Sequence, residues 1–140
     1  MGVLTDIKDA VKALVVAAVP DGTAVLVGCE PEAVDIERFP KFVIIVLDSN
    51  PYSDNITIGA VTQWSEWNWS LYSHAGSPGT NEDALDALDP LYTAVTGLAG
   101  STVLSYSKPI EIREAWSFYT WHPSGSPVYK TQITHEQQPQ

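Results

Sequence analysis

Three histidines, a lone cysteine and several clustered acids are the residues here that could do chemistry. A histidine metal site on a helix needs a second histidine or an acid three or four residues away, because that spacing sets both ligands on one face. His74, His122 and His135 have no such neighbour, and all three fall in or near predicted loops, so the pattern predicts surface or capping histidines. Cys29 stands beside Glu30 and Glu32, whose negative charges disfavour the thiolate a nucleophile needs, which predicts a buried or otherwise inert thiol. Asp48, Asn50 and Asp54 open like a calcium loop, but Ser53 occupies the glycine position and Gly59 the closing acid. Turn formation accounts for those residues. Glu82, Asp83, Asp86 and Asp89 fit the solvated face and favourable N-terminal charge of a helix. No Gly-x-Ser-x-Gly elbow, phosphate-binding glycine loop or dinucleotide fingerprint occurs in the sequence. The expectation is a protein with no catalytic residues, no metal and no cofactor.

Charge narrows the partners. Seven Lys and Arg against 17 Asp and Glu give a net charge of −10. Nucleic acids and anionic membranes are both bound through Lys and Arg, so both are disfavoured. The start of the chain is apolar, but Asp6, Lys8, Asp9 and Lys12 interrupt it at helical spacing. That predicts a helix in place of a signal peptide, and a chain made in a reducing cytoplasm. The triplets Asn55-Ile56-Thr57 and Asn68-Trp69-Ser70 then read as chance matches to a glycosylation site.

The elements follow from hydrophobic period. Leu4, Ile7, Val11, Leu14, Val15 and Ala18 predict a helix from Val3 to Val19, stopped by Pro20-Asp21-Gly22. Ala24 to Val27 is a short strand, and Glu30 to Arg38 a polar connection. The unbroken run Phe42 to Leu47 predicts a strand covered on both faces. A turn-rich loop then leads into a long strand, Ile56 to Tyr72. Thr80 or Asn81 can cap a second helix to Leu98, which Pro90 should kink or restart. Strands Ile110 to Trp121 and Val128 to Thr134 close the domain, leaving 135–140 as a polar, frayed tail. The predicted fold is one α+β domain over 1–134: a mainly antiparallel sheet of four to five strands with two helices on one face.

Alternation predicts that Trp67, Trp69, Trp116 and Phe118 face the core. It sets Trp64, Tyr72, Tyr119 and Trp121 on the opposite face, which two helices cannot also cover. Such aromatics suit a protein interface or a sugar-stacking platform, unless a curled sheet or a loop covers them.

The order of elements, the phrase Trp67-Asn68-Trp69-Ser70-Leu71-Tyr72-Ser73, the glycine-containing loop after it and the acidic-faced helix Asn81 to Leu98 together resemble the tail terminator and tail-completion proteins of long-tailed bacteriophages. The resemblance covers about Val3 to Thr134. It implies a structural protein of the virion, made in the host cytoplasm, that closes into a ring, usually a hexamer, at the head-proximal end of the tail. The implied partners are copies of itself, the tail tube protein and the head–tail connector, with Trp64, Tyr72, Tyr119 and Trp121 as candidate contacts. A neck or connector protein and a carbohydrate-binding module are the alternatives.

Overall fold

Phe42, Val43, Ile44 and Ile45 have no polar side on which to meet water, and all four are fully buried. Val43 and Ile45 point to the main core, Phe42 and Ile44 to a smaller cluster with Val34 on the other side of the sheet. The structure, a computed structural model, describes residues 3–49, 65–77, 79–105 and 107–137. Among these, α1 (Val3–Ala18) is followed by β1 (Ala24–Val27), β2 (Phe42–Ser49), β3 (Ser65–His74), α2 (Glu82–Thr96), β4 (Glu111–Trp121) and β5 (Pro127–Gln137). The strands form one sheet in the order β1-β2-β3-β5-β4. Only β1 and β2 are parallel; the other three pairings are antiparallel. The α+β fold expected from the sequence is the fold observed.

A parallel pair needs a long crossover. Here residues 28–41 supply it without an α-helix, forming only a short 3-10 turn at Pro31–Ala33. Val34, Ile36 and Phe39 of this crossover lie over Phe42, Ile44 and Tyr72, so the face opposite the helices is covered over β1, β2 and the upper part of β3. Gly76 leaves β3 with φ +86, and a Cβ there would meet the Pro40 carbonyl oxygen at 2.8 Å. Only glycine fits a turn that is both left-handed and this close to another backbone.

The helices share the other face. Ile7, Val11 and Val15 of α1, and Leu88, Leu91 and Val95 of α2, close over Trp67, Trp69, Leu71 and Ile133. Asn81 is the cap of α2: its side-chain oxygen accepts from the Ala84 N–H at 2.9 Å. Pro90 neither ends nor restarts the helix, which continues through it to Thr96. Its ring is exposed, so the clash and the missing donor fall on the solvent side.

Four further expectations are corrected. Strand β5 runs to Gln137, and His135 and Gln137 are buried, so these residues belong to the sheet and not to a frayed tail. The cause is register: His135 pairs with Trp67 and Gln137 with Ser65, which extends the ladder past Thr134. Strand β3 continues two residues beyond Tyr72, to His74, while 56–64 of the predicted long strand lie outside the described residues. The second half of the calcium-like loop and the Asn55 triplet lie there too, and Asn68-Trp69-Ser70 sits within β3. Cys29 is exposed, not buried. Phe118, expected in the core, is exposed, and Trp116 is half-buried, because three register shifts against β5 interrupt the alternation of β4.

Candidate interface: aromatic residues along the outer strand

Helix α2 is fixed over the outer strands from both ends. The Gly79 N–H donates to the Gly125 carbonyl at 3.0 Å, tying the helix start to the β4–β5 turn. The Gly100 N–H donates to Ile110 and the Ile110 N–H to Ser101, at 2.9 and 2.8 Å, tying the helix end to the start of β4. The helix therefore runs antiparallel to β4. Ala84, Leu88, Leu91 and Val95 turn inward, which leaves Leu85 and Tyr92 exposed, seven residues apart on one flank.

That flank meets a run of five rings. Tyr92 stands edge-on to Trp116, with centroids 5.4 Å apart. Trp116 stacks on Tyr129 at 5.0 Å, Phe118 meets Tyr129 edge-on at 6.0 Å, and Trp121 lies 5.2 Å from Phe118. Phe118 is 46% exposed and Trp121 48%. The shift in pairing between Phe118 and Thr120 brings Trp121 to Phe118, where strict alternation puts them on opposite faces. The result is a run of aromatic side chains from Tyr92 to Trp121 whose outer members are exposed.

The four residues singled out from the sequence do not gather at one place. Tyr72 and Tyr119 do pair, with rings 4.6 Å apart, on the face opposite the helices. The adjacent Tyr72 phenol, with burial and Glu32 adding to it, holds Tyr119 above the ordinary tyrosine range. Trp121 belongs to the other aromatic run, and Trp64 lies outside the described residues. Sequence reasoning missed Leu85, Tyr92 and Tyr129 as members of this surface. The signal that could have found the first two was present: both belong to the predicted apolar stripe of α2, but at its margin, seven residues apart. Lower on the face opposite the helices, Asp48, Asn68, Arg113, Glu114 and Gln132 line a polar cleft of about 400 Å³. Arg113 donates to Asn68 at 2.8 Å and approaches Glu66 at 3.3 Å.

The histidines are not surface groups. Each is buried, which alternation in the extended ends of β3 and β5 explains for His74 and His135. His135 Nε2 accepts from the Trp69 indole N–H at 3.1 Å, and burial pushes its pKa down to about 4. His74 stacks on Phe42 and donates through Nδ1 to the Pro40 carbonyl at 3.0 Å. Burial above all, and also His122, lowers its pKa. His122 donates through Nε2 to the Val34 carbonyl at 3.0 Å and accepts the Ser124 N–H at Nδ1. His74 and His122 thus pin the crossover to the sheet through the Pro40 and Val34 carbonyls, a packing role. Among the described residues no three His, Cys, Asp or Glu side chains gather as a metal-binding group. Neither the protein-family models nor the curated proteins compared with this chain give a match.

Proposed function

We propose that this chain is a structural subunit that works by assembling with copies of itself into a closed ring, most plainly as the tail terminator of a long-tailed bacteriophage that caps the tail tube and meets the head connector. On this reading it is not an enzyme, needs no cofactor, and resides in the virion at the head-proximal end of the tail. The observation that carries the assembly reading is the run of rings along β4, whose outer members Phe118 and Trp121 are each nearly half exposed. Aromatics of this kind dominate interface energies, with truncations costing about 2 kcal/mol or more. The repeated register shifts in β4 discourage backbone pairing at that edge, so its contacts are made through side chains. The order of elements on which the tail-terminator resemblance rests is also the order of the fold, although its early strand pair, β1 and β2, is parallel and not the hairpin that the resemblance implies.

A carbohydrate platform is less well served. Phe118 and Trp121 are inclined at 57°, so they offer no continuous plane for successive sugar rings. Sedimentation velocity across protein and salt concentration tests the proposal, with electron microscopy of the largest species. A ring, usually of six, is expected, alone or on added tail tubes. Salt should favour it by screening the charge of −10 on each subunit. A monomer at every concentration, with no ring on tail tubes, overturns the reading.

A further inference from the structure

Residues 28–41 carry the chain from β1 to β2 across the sheet face that the helices leave bare. Both ends are fixed by ladder bonds: the Gly28 N–H donates to the Ile45 carbonyl at 3.0 Å, and the Ala24 N–H to the Lys41 carbonyl at 2.9 Å. Between them, among the described residues, the backbone hydrogen bonds close within the segment itself, from Ala33 to Glu30, Val34 to Pro31 and Phe39 to Asp35. The sheet holds the segment through apolar contacts of Val34, Ile36 and Phe39 and through two histidines. His74, at the end of β3, donates to the Pro40 carbonyl, and His122, just after β4, to the Val34 carbonyl, each at 3.0 Å. The segment can therefore lift without breaking a strand ladder.

A carbonyl only accepts, so His74 carries its proton on Nδ1. Its Nε2 is then a bare lone pair, in a fully buried side chain and without a partner among the described residues. A second proton would land there and create a buried cation whose new N–H has no acceptor, which is far costlier than an idle lone pair. The surroundings offer no relief. From β2 the Phe42 ring stacks on His74 at 4.7 Å, and from the end of β4 the His122 ring stands 5.1 Å away, itself a base. On the crossover Glu30, Glu32, Asp35, Glu37 and Arg38 are exposed, and among the described residues none of them pairs with either histidine. Water must reach Nε2 for the proton to be held, and the segment lying over this face is what keeps water out.

We infer that the 28–41 crossover is an acid-released flap: a proton on His74 Nε2 lifts it from the sheet and uncovers Phe42 and Ile44, while the strands and both helices stay in place. Burial holds the His74 pKa below the ordinary 6.5 while the flap is closed. Closure is therefore at full strength above pH 6.5 and weakens as the pH falls towards the closed-state value. The inference does not depend on the assembly reading.

The test sets one thiol on either side of β2 in a Cys29→Ser chain: Ile44→Cys under the flap and Val43→Cys in the helix-side core, both fully buried positions. Labelling by an aryl disulfide is followed from about pH 7 to about pH 5, with circular dichroism to confirm folding. Each rate is divided by that of the same chain unfolded in urea at the same pH, which cancels the titration of the thiol. Ile44→Cys should label about tenfold faster at the acid end than at the neutral end, and about tenfold or more faster there than Val43→Cys. His74→Asn keeps a donor for the Pro40 carbonyl but cannot take the proton, so it should abolish the acceleration at Ile44→Cys. His135→Gln should leave it, because His135 bonds Trp69 in the other core. Equal labelling of the two thiols at every pH means that both are reached only by whole-chain unfolding, and overturns the flap. Acceleration that persists in folded His74→Asn, or that His135→Gln removes, overturns His74 as its trigger. The two-thiol comparison and the His135→Gln result decide the matter even where His74→Asn fails to fold.

Discussion

In β3 the side chains of Trp67 and Trp69 are each 1% exposed, whereas in β4 Phe118 and Trp121 are nearly half exposed, although both strands read in sequence as alternating and aromatic. The difference lies in the neighbours. β3 is held between β2 and β5, in register with β5 along nine consecutive pairs, and the helices close over it. β4 has a partner on one side only and slips against it three times. Alternation reports burial where two ladders enforce the pleat and a layer covers the face. At an edge it reports only what the side chains are, and the bulges decide where they point.

The largest expected effect of breaking this contrast is at β3. Trp69→Ala removes a fully buried ring and leaves His135 Nε2 without its indole donor, and should cost about 3–5 kcal/mol. The urea midpoint at neutral pH measures it, and a cost below about 1 kcal/mol would contradict the buried placement.

Acid probes the same region. The His135 pKa is about 4 in the fold against 6.5 for a free histidine, so the unfolded chain takes up the proton first. Stability should thus be complete above pH 6.5 and fall as the pH drops towards 4, by on the order of 3 kcal/mol in all. His74, lowered by burial, adds loss in the same direction. His135→Gln retains an acceptor for Trp69 but cannot titrate, so its stability should fall less steeply between those values. Urea titrations at several pH values check the slope, and equal slopes in the two proteins would remove His135 as the cause.

The smallest expected effect is at β4. Trp121→Ser should change the stability of the separated subunit by less than about 1 kcal/mol, since half of that ring is already in water. The same substitution should weaken assembly, read by sedimentation. A stability loss comparable to that of Trp69→Ala would erase the distinction between the strands.

Much of the fold was legible because it follows from local periodicity. The stripe Ile7, Val11, Val15 fixes the inward face of α1, and Asn81 marks the start of α2 through a bond spanning three residues. The run from Phe42 to Ile45 has no side it can leave wet. Each is a property of neighbours in the chain, so the sequence determines it alone. The candidate site was legible only in its residue types. The sequence supplied an excess of aromatics, an acidic second helix and few bases. Only the tertiary structure decided that Trp121 would join Phe118 and not Tyr119, because that depends on a register shift against β5. It also decided that all three histidines would be buried: His122 finds its acceptor at Val34, 88 residues away, and His135 its donor at Trp69, 66 residues away. Partners so distant in sequence leave no periodic trace, and only the folded sheet brings them together.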